Sequence, residues 1–143
     1  ESGVISKYVT DFPNEDIAGL PNVILTPHLG ASTEEAEDNC AAMAVEEMMD
    51  YIENGNITNS VNFPVCHMGK CCAKSRVALL HKNIPNVIGQ ITNAINEMNI
   101  RDMTNRSQGD YAYTLLDLDS ELTPETVQKL KNVSGMIRVR KIK

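Results

Sequence analysis

The sequence predicts an α/β segment followed by an α+β unit of strand and helix order βαββαβ. Three observations predict it. The first half carries two short β-branched runs, each closed by a proline, and then a long stretch at helical spacing. The second half alternates apolar runs with two helical patterns that have start and stop signals. Charge also changes sign along the chain. Residues 1–64 hold twelve Asp or Glu against one Lys, and residues 65–143 hold twelve Lys or Arg against seven Asp or Glu, within a net charge of −6 over 143 residues. Such a break divides the chain into units with different jobs, read as 1–64, a linker at 65–74, and 75–143.

Residues 4–12, from Val4 to Phe12, are rich enough in β-branched and aromatic side chains for a strand. Pro13-Asn14-Glu15-Asp16 is a turn signal, and Ile17 to Leu20 is a short helical turn before Pro21. Asn22-Val23-Ile24-Leu25-Thr26 is a continuous apolar run, the pattern of a strand buried on both faces of a parallel sheet. A helix follows over 33–54. Ser32 and Glu35 have capping-box spacing, and Glu34, Glu35, Glu37 and Asp38 suit the positive end of its dipole. Ala36, Cys40, Met43, Ala44, Met48 and Tyr51 form an apolar stripe, broken only by Glu47, which assigns Cys40, Met43 and Met48 to packing. Asn54-Gly55 stops the helix. At 1.5 Å per residue it is about 33 Å long, enough to bridge two domains. Ile57 to Phe63 is extended, and residues 65–74 have neither helical nor strand period.

In residues 75–143, Arg76 to His81 is a strand and Asn83-Ile84-Pro85-Asn86 turns into a helix with Val87, Ile88, Ile91, Ala94, Ile95 and Met98 on one face. Ile100 to Thr104 and Tyr111 to Leu118 are strands around the hairpin signal Ser107-Gln108-Gly109-Asp110. Thr123-Pro124 opens a second helix, Ser134-Gly135 ends it, and Met136 to Ile142 is the last strand. The order is that of a ferredoxin-like split βαβ unit.

Composition excludes several classes. Hydrophobic residues make up 42% and charged residues 22%, as in an ordinary globular chain. No apolar run approaches the roughly 20 residues of a membrane helix, and the N-terminus lacks the basic and apolar regions of a signal peptide. A cytoplasmic protein with reduced thiols is expected. The first residue is not Met, so a piece of a longer or processed chain is expected. The acidic half repels nucleic acid and anionic membrane, and the basic residues of the second half are spread out as on a solvated surface, so neither is an expected partner. Cys66-His67 and Cys71-Cys72 offer metal-ligand types, but the spacing is irregular and no second pair follows, so no metal site is expected.

Thr26-Pro27-His28-Leu29-Gly30-Ala31-Ser32-Thr33 carries the most chemistry. A strand ends, a His follows a proline, and small residues lead into a helix, at the carboxyl end of a strand where α/β sheets bind ligands. A His there has the basicity of a general acid or base. Glu15 and Asp16, on the neighbouring βα turn, are carboxylates that would orient and tune it.

These residues resemble a family. Asp11-Phe12-Pro13-Asn14-Glu15, followed by Asn22 through Ala36, resembles the closing part of the D-2-hydroxyacid dehydrogenases. Asn59-Ser60-Val61-Asn62-Phe63-Pro64 and the βαββαβ tail narrow the resemblance to D-3-phosphoglycerate dehydrogenases that end in an ACT domain. The resemblance implies that residues 1–64 are the last strands of an NAD-binding domain with connecting helix 33–54, and that 75–143 is an ACT regulatory domain. It implies that His28 is the proton donor and acceptor at the substrate hydroxyl and Glu15 its paired carboxylate. Asp11 would contact the nicotinamide carboxamide, and His28, Leu29, Gly30 and Ala31 would line the nicotinamide side of NAD. The sequence departs from the family here: Asp-Val-Phe-x-x-Glu-Pro is one residue shorter, Asp16 stands for the proline, and the loop from Glu15 to His28 is short.

The resemblance further implies a homo-oligomer assembled through ACT domains and an amino-acid effector, with L-serine the family's ligand. His81 and Asn83 match the serine-contacting positions of His-x-Asn-x-Pro-Gly, Asn86 replaces its glycine, and Arg101 stands where the family has an asparagine. The chain carries no Gly-x-Gly-x-x-Gly and no basic residue before His28 except Lys7, so by itself it is expected to be inactive on 3-phosphoglycerate. The rival readings are a D-2-hydroxyacid dehydrogenase with another substrate and a module that only binds an amino acid and dimerises.

Overall fold

Two of the β-branched runs form strands, but only briefly. In the computed structural model, which describes residues 4–143, β1 (Tyr8–Thr10) pairs in parallel with β2 (Val23–Leu25), Tyr8 opposite Val23 and Thr10 opposite Leu25. Thr10 Oγ1 accepts from Phe12 N at 3.1 Å and turns the chain out of β1. Asn14 Oδ1 accepts from Ile17 N at 3.1 Å, which starts the turn that Pro13-Asn14 predicts. The expected burial of the second strand on both faces is not found. Ile24 and Leu25 stay exposed, because among the described residues this sheet has two strands only.

The helix α1 (Glu34–Asn54) starts one residue later than the predicted capping box. Thr33 is the cap, its Oγ1 accepting from Ala36 N at 3.1 Å, and Ser32 is not. None of its residues is buried. Cys40 is exposed and Met43 and Met48 are 53% and 58% exposed, so the packing expected of the stripe is overturned. Helical spacing reports which side chains share a face, not whether anything covers it. Gly55, at φ +76°, donates its N–H to Tyr51 O at 3.0 Å and ends the helix where Asn54-Gly55 predicts.

Contacts divide the chain into two units, one through Met43 and one from Ala44. The second is built on an antiparallel sheet of order β4-β5-β3-β6. Its elements are β3 (Ser75–Lys82), α2 (Val87–Ala94), β4 (Ile100–Gln108), β5 (Tyr111–Leu118), α3 (Pro124–Lys131) and β6 (Met136–Lys141), the βαββαβ order expected. The β4 strand runs four residues past Thr104 and the hairpin tightens onto Gly109-Asp110. Thr123 caps α3, accepting from Thr126 N at 3.1 Å. Asn86 precedes α2 at φ +64°, a left-handed conformation that Asn tolerates better than most residues other than glycine.

Alternation along the strands divides the core in two. Val77, Leu79, Leu116 and Leu118 face Val87, Ile91 and Leu130 of the two short helices. Ala78, Tyr113 and Leu115 point to the other face, where Ile57 and Cys66 cover them. Residues 65–74 have no period, yet Cys66 and Ala73 within them are buried, and Ile57 and Cys66 exchange two backbone hydrogen bonds at 2.8 and 3.1 Å. Side chains hold this irregular backbone. Arg76, 1% exposed, forks Asp117 (Nε to Oδ1 2.5 Å, Nη2 to Oδ2 2.7 Å) and donates from Nη1 to Asn54 O at 3.0 Å and Gly69 O at 2.7 Å. Its hydrogen bond to Asp117 holds the guanidinium further above its ordinary pKa, against the opposing effect of burial. Asn56 donates to Asp50 and Gly69 O and accepts from Met68 N, so the covering segment is tied at each polar group it buries.

Candidate functional site

Because β1 and β2 are parallel, both of their carboxyl ends lie at one edge, and the residues just beyond them meet there. Asp11 follows β1 directly. Thr26 N donates to Thr10 O at 3.0 Å, which carries the pairing one step further, and Pro27 then delivers His28. His28 Nδ1 lies 2.8 Å from Asp11 Oδ2, and the Phe12 ring sits 4.6 Å from the imidazole at a tilt of 51°. A carboxylate oxygen only accepts, so Nδ1 carries the proton and Nε2 is the nitrogen left for chemistry. The pair is open to solvent, with His28 61% and Asp11 44% exposed, and Leu29, Gly30 and Ala31 beside it are exposed too. The carboxylate predicted to pair with His28 was Glu15. Glu15 makes no ion pair among the described residues, since it stands on the helical turn that Asn14 opens; Asp11 occupies that place.

The chain carries no Gly-x-Gly-x-x-Gly turn to receive the pyrophosphate of NAD, so its residues do not by themselves fit that cofactor.

In the second unit the predicted effector residues are separated. His81, at the end of β3, is 2% exposed and has both ring nitrogens occupied. Nδ1 donates to Lys82 O at 2.9 Å, and Nε2 lies 2.9 Å from Thr114 Oγ1, which is 2.7 Å from Asn105 Oδ1. Asn83 is exposed and ties its loop to the hairpin: its N–H donates to Asp110 O at 2.8 Å and its Nδ2 to Gly109 O at 3.2 Å. Arg101 is exposed at the β4 bulge beside Leu118, whereas His81 pairs with Ala112. Six residues of β5 separate these ends, about 20 Å at the rise of a strand, so one chain does not bring Arg101 to His81. A hollow of about 250 Å³ lies beside Asn83, lined also by Lys82, Ile84, Asp110 and Tyr111. Sequence reasoning missed Lys82 and Asp110 there. Their signal was the hairpin turn, whose register brings Tyr111 opposite Lys82.

Among the described residues no three His, Cys, Asp or Glu side chains stand together as metal ligands. Cys66 is in the core, where burial pushes its thiol up to about 11, and Cys72 is exposed. Among the described residues no helix is long and apolar enough to cross a membrane.

The fold and the site define a class: a short parallel α/β segment with a His–Asp pair at its strand ends, followed by an antiparallel βαββαβ unit. The chain is homologous to the C-terminal part of the D-3-phosphoglycerate dehydrogenases. It is 32% identical over 132 residues to D-3-phosphoglycerate dehydrogenase 2 of Saccharomyces cerevisiae, covering 87% of this chain and 28% of the relative. It is 32% identical over 125 residues to D-3-phosphoglycerate dehydrogenase of Dictyostelium discoideum, covering 87% and 31%. With the Escherichia coli (strain K12) enzyme of that name the identity is 30% over 127 residues, covering 83% and 30%. The chain thus spans under a third of the length of these curated relatives. No family model matches it. Among solved structures it is similar to the ACT domain from GTP pyrophosphokinase of Chlorobium tepidum, with TM-score 0.42 and 19% identity over 47% of this chain and 94% of that one.

Proposed function

We propose that this chain is the C-terminal part of an NAD-dependent D-3-phosphoglycerate dehydrogenase that oxidises 3-phosphoglycerate to 3-phosphohydroxypyruvate in the cytoplasm, on the route to L-serine. The observation that carries the reading is the 2.8 Å pair of His28 Nδ1 and Asp11 Oδ2 at the common end of two parallel strands. His28 takes the hydroxyl proton of the substrate at Nε2 during oxidation and returns it during reduction. Asp11 fixes the ring and stabilises the imidazolium that forms. When bound, NAD would supply hydride acceptance to the whole enzyme, while the residues of this chain hold and move the proton. Residues 75–143 are an ACT domain that assembles a homo-oligomer and senses an amino acid at the loop of His81 and Asn83. L-serine is the first ligand to test, with Arg101 reaching that loop only from a second subunit.

The test is a hybrid in which residues 4–143 replace the homologous region of the Escherichia coli enzyme. The hybrid should reduce NAD with 3-phosphoglycerate, and His28→Gln should lower kcat by about 10²- to 10⁴-fold while NAD binding persists. A folded, NAD-binding hybrid whose turnover ignores His28→Gln would defeat the reading. The isolated chain should show no turnover. A calorimetric titration of it with L-serine, repeated on His81→Ala, tests the sensor.

A further inference from the structure

The second unit contains a larger hollow that neither candidate site uses. It has a volume of about 480 Å³, within the roughly 300–1,000 Å³ of small-molecule sites. It lies on the sheet face opposite α2 and α3. Its apolar wall includes Met48, Ile57, Phe63 and Leu80. Three charged side chains line it: Glu47, Arg138 and Arg140.

Two of the three are already engaged. Arg140 donates from Nη2 to the carbonyls of Tyr51 and Ile52 near the end of α1, and its guanidinium carbon stands 4.2 Å over the Tyr51 ring. That geometry joins a cation to helix carbonyls and an aromatic face, so this guanidinium is part of the wall. Glu47 Oε1 accepts from Asn59 Nδ2 at 2.6 Å. The Arg138 side chain makes no hydrogen bond or ion pair among the described residues. Two guanidiniums against one carboxylate leave the lining with a surplus of a single positive charge, carried by the group that is free to turn to a ligand.

We propose that this hollow binds a monocarboxylate with a compact apolar body, its carboxylate on Arg138 and its body against Met48, Phe63 and Leu80. The planar guanidinium matches a carboxylate in two-point geometry. Glu47 opposes a second negative charge, which excludes dicarboxylates and phosphate esters. The site is separate from the loop of His81 and Asn83 and stands whether or not that loop binds serine.

The full 143-residue chain is titrated calorimetrically with 4-methylpentanoate and with its neutral isostere 4-methylpentanamide. Saturable binding of the acid is expected, at least tenfold tighter than the amide. Arg138→Met should weaken the acid at least tenfold. Met48→Trp, at an exposed position that narrows the hollow, should weaken acid and amide alike. Both positions are solvent-exposed, so both variants should melt within a few degrees of the parent. Equal binding of acid and amide, an unaltered affinity in folded Arg138→Met, or no saturable heat from the folded chain would each overturn the proposal.

Discussion

Replacing Arg76 by Met should unfold the second unit under conditions where the parent is stable. Arg76 and Asp117 are 1% and 7% exposed, so removing the guanidinium leaves a buried carboxylate without its counter-charge. Breaking a buried pair from one side costs about 3–5 kcal/mol. The carbonyls of Asn54 and Gly69 lose their Nη1 donor as well, at roughly 1 kcal/mol or more each. The combined loss is about 5–7 kcal/mol, a large part of the 5–15 kcal/mol by which a small domain is stable. At about 4–8 °C per kcal/mol, the melting temperature should fall by 15 °C or more. The double variant Arg76→Met with Asp117→Leu removes both charges and should recover most of the loss, staying about 2 kcal/mol below the parent because the two carbonyls remain unpaired. Urea unfolding followed by circular dichroism at pH 7 measures all three proteins. A single variant within 1 kcal/mol of the parent, or a double as weak as the single, refutes the reasoning.

Three further outcomes are expected. Burial pushes the Cys66 thiol from 9.0 up to about 11, so the unfolded chain releases that proton before the native one does; stability should decline by about 2–3 kcal/mol as pH rises from 9 to 11, and less in Cys66→Ala, as paired urea titrations at pH 8.5 and 10.5 will report. Buried Tyr113, also pushed upward, adds to the decline at the alkaline end in both proteins. Gly55→Ala should lose about 2–4 kcal/mol in the same assay, because φ is +76° and the new Cβ would stand 2.9 Å from Leu115 Cδ2. Asn86→Gly should hold stability within about 0.5 kcal/mol, whereas Asn86→Ala should lose about 1 kcal/mol at φ +64°; equal melting of the two would contradict the left-handed assignment.

Residues 75–143 were legible because every level of the sequence agrees there. Thr123-Pro124, Gly109-Asp110 and Ser134-Gly135 punctuate apolar runs whose periods match the elements formed. The first half was legible only in kind. Its runs predict strands and a helix, which form, but period alone carries no information about cover, so the burial expected at Ile24, Cys40 and Met48 did not follow. Residues 65–74 show order that the sequence pattern does not carry. Their order comes from Arg76, Asn54 and Asn56 hydrogen-bonding to loop backbone, and such side-chain support leaves no periodic trace. Likewise, 480 Å³ of hollow could not be read from a sequence in which Glu47 is 91 residues from Arg138.

The carboxylate at His28 separates two readings of the site that sequence resemblance leaves joined. Asp11 comes one residue after β1 and His28 three residues after β2, and parallel pairing of Thr10 with Leu25 sets both at one edge. Glu15 lies four residues further along, beyond Pro13 and on a turn whose first hydrogen bond is made by Asn14. A carboxylate has two oxygens, so Asp11 can hold Nδ1 through Oδ2 and still offer Oδ1 to a ligand. If Asp11 orients the imidazole, Asp11→Asn in the active hybrid should lower kcat by about 10²-fold or more, because the amide can present its N–H to Nδ1 and leave the ring in the wrong tautomer. KM for 3-phosphoglycerate should change little, since the loss falls on proton transfer rather than on binding. Glu15→Gln should stay within a few-fold of the parent in both parameters. The reverse order of effects, with Glu15→Gln crippling kcat and Asp11→Asn raising the KM for NAD alone, would return the orienting role to Glu15 and leave Asp11 as a cofactor contact.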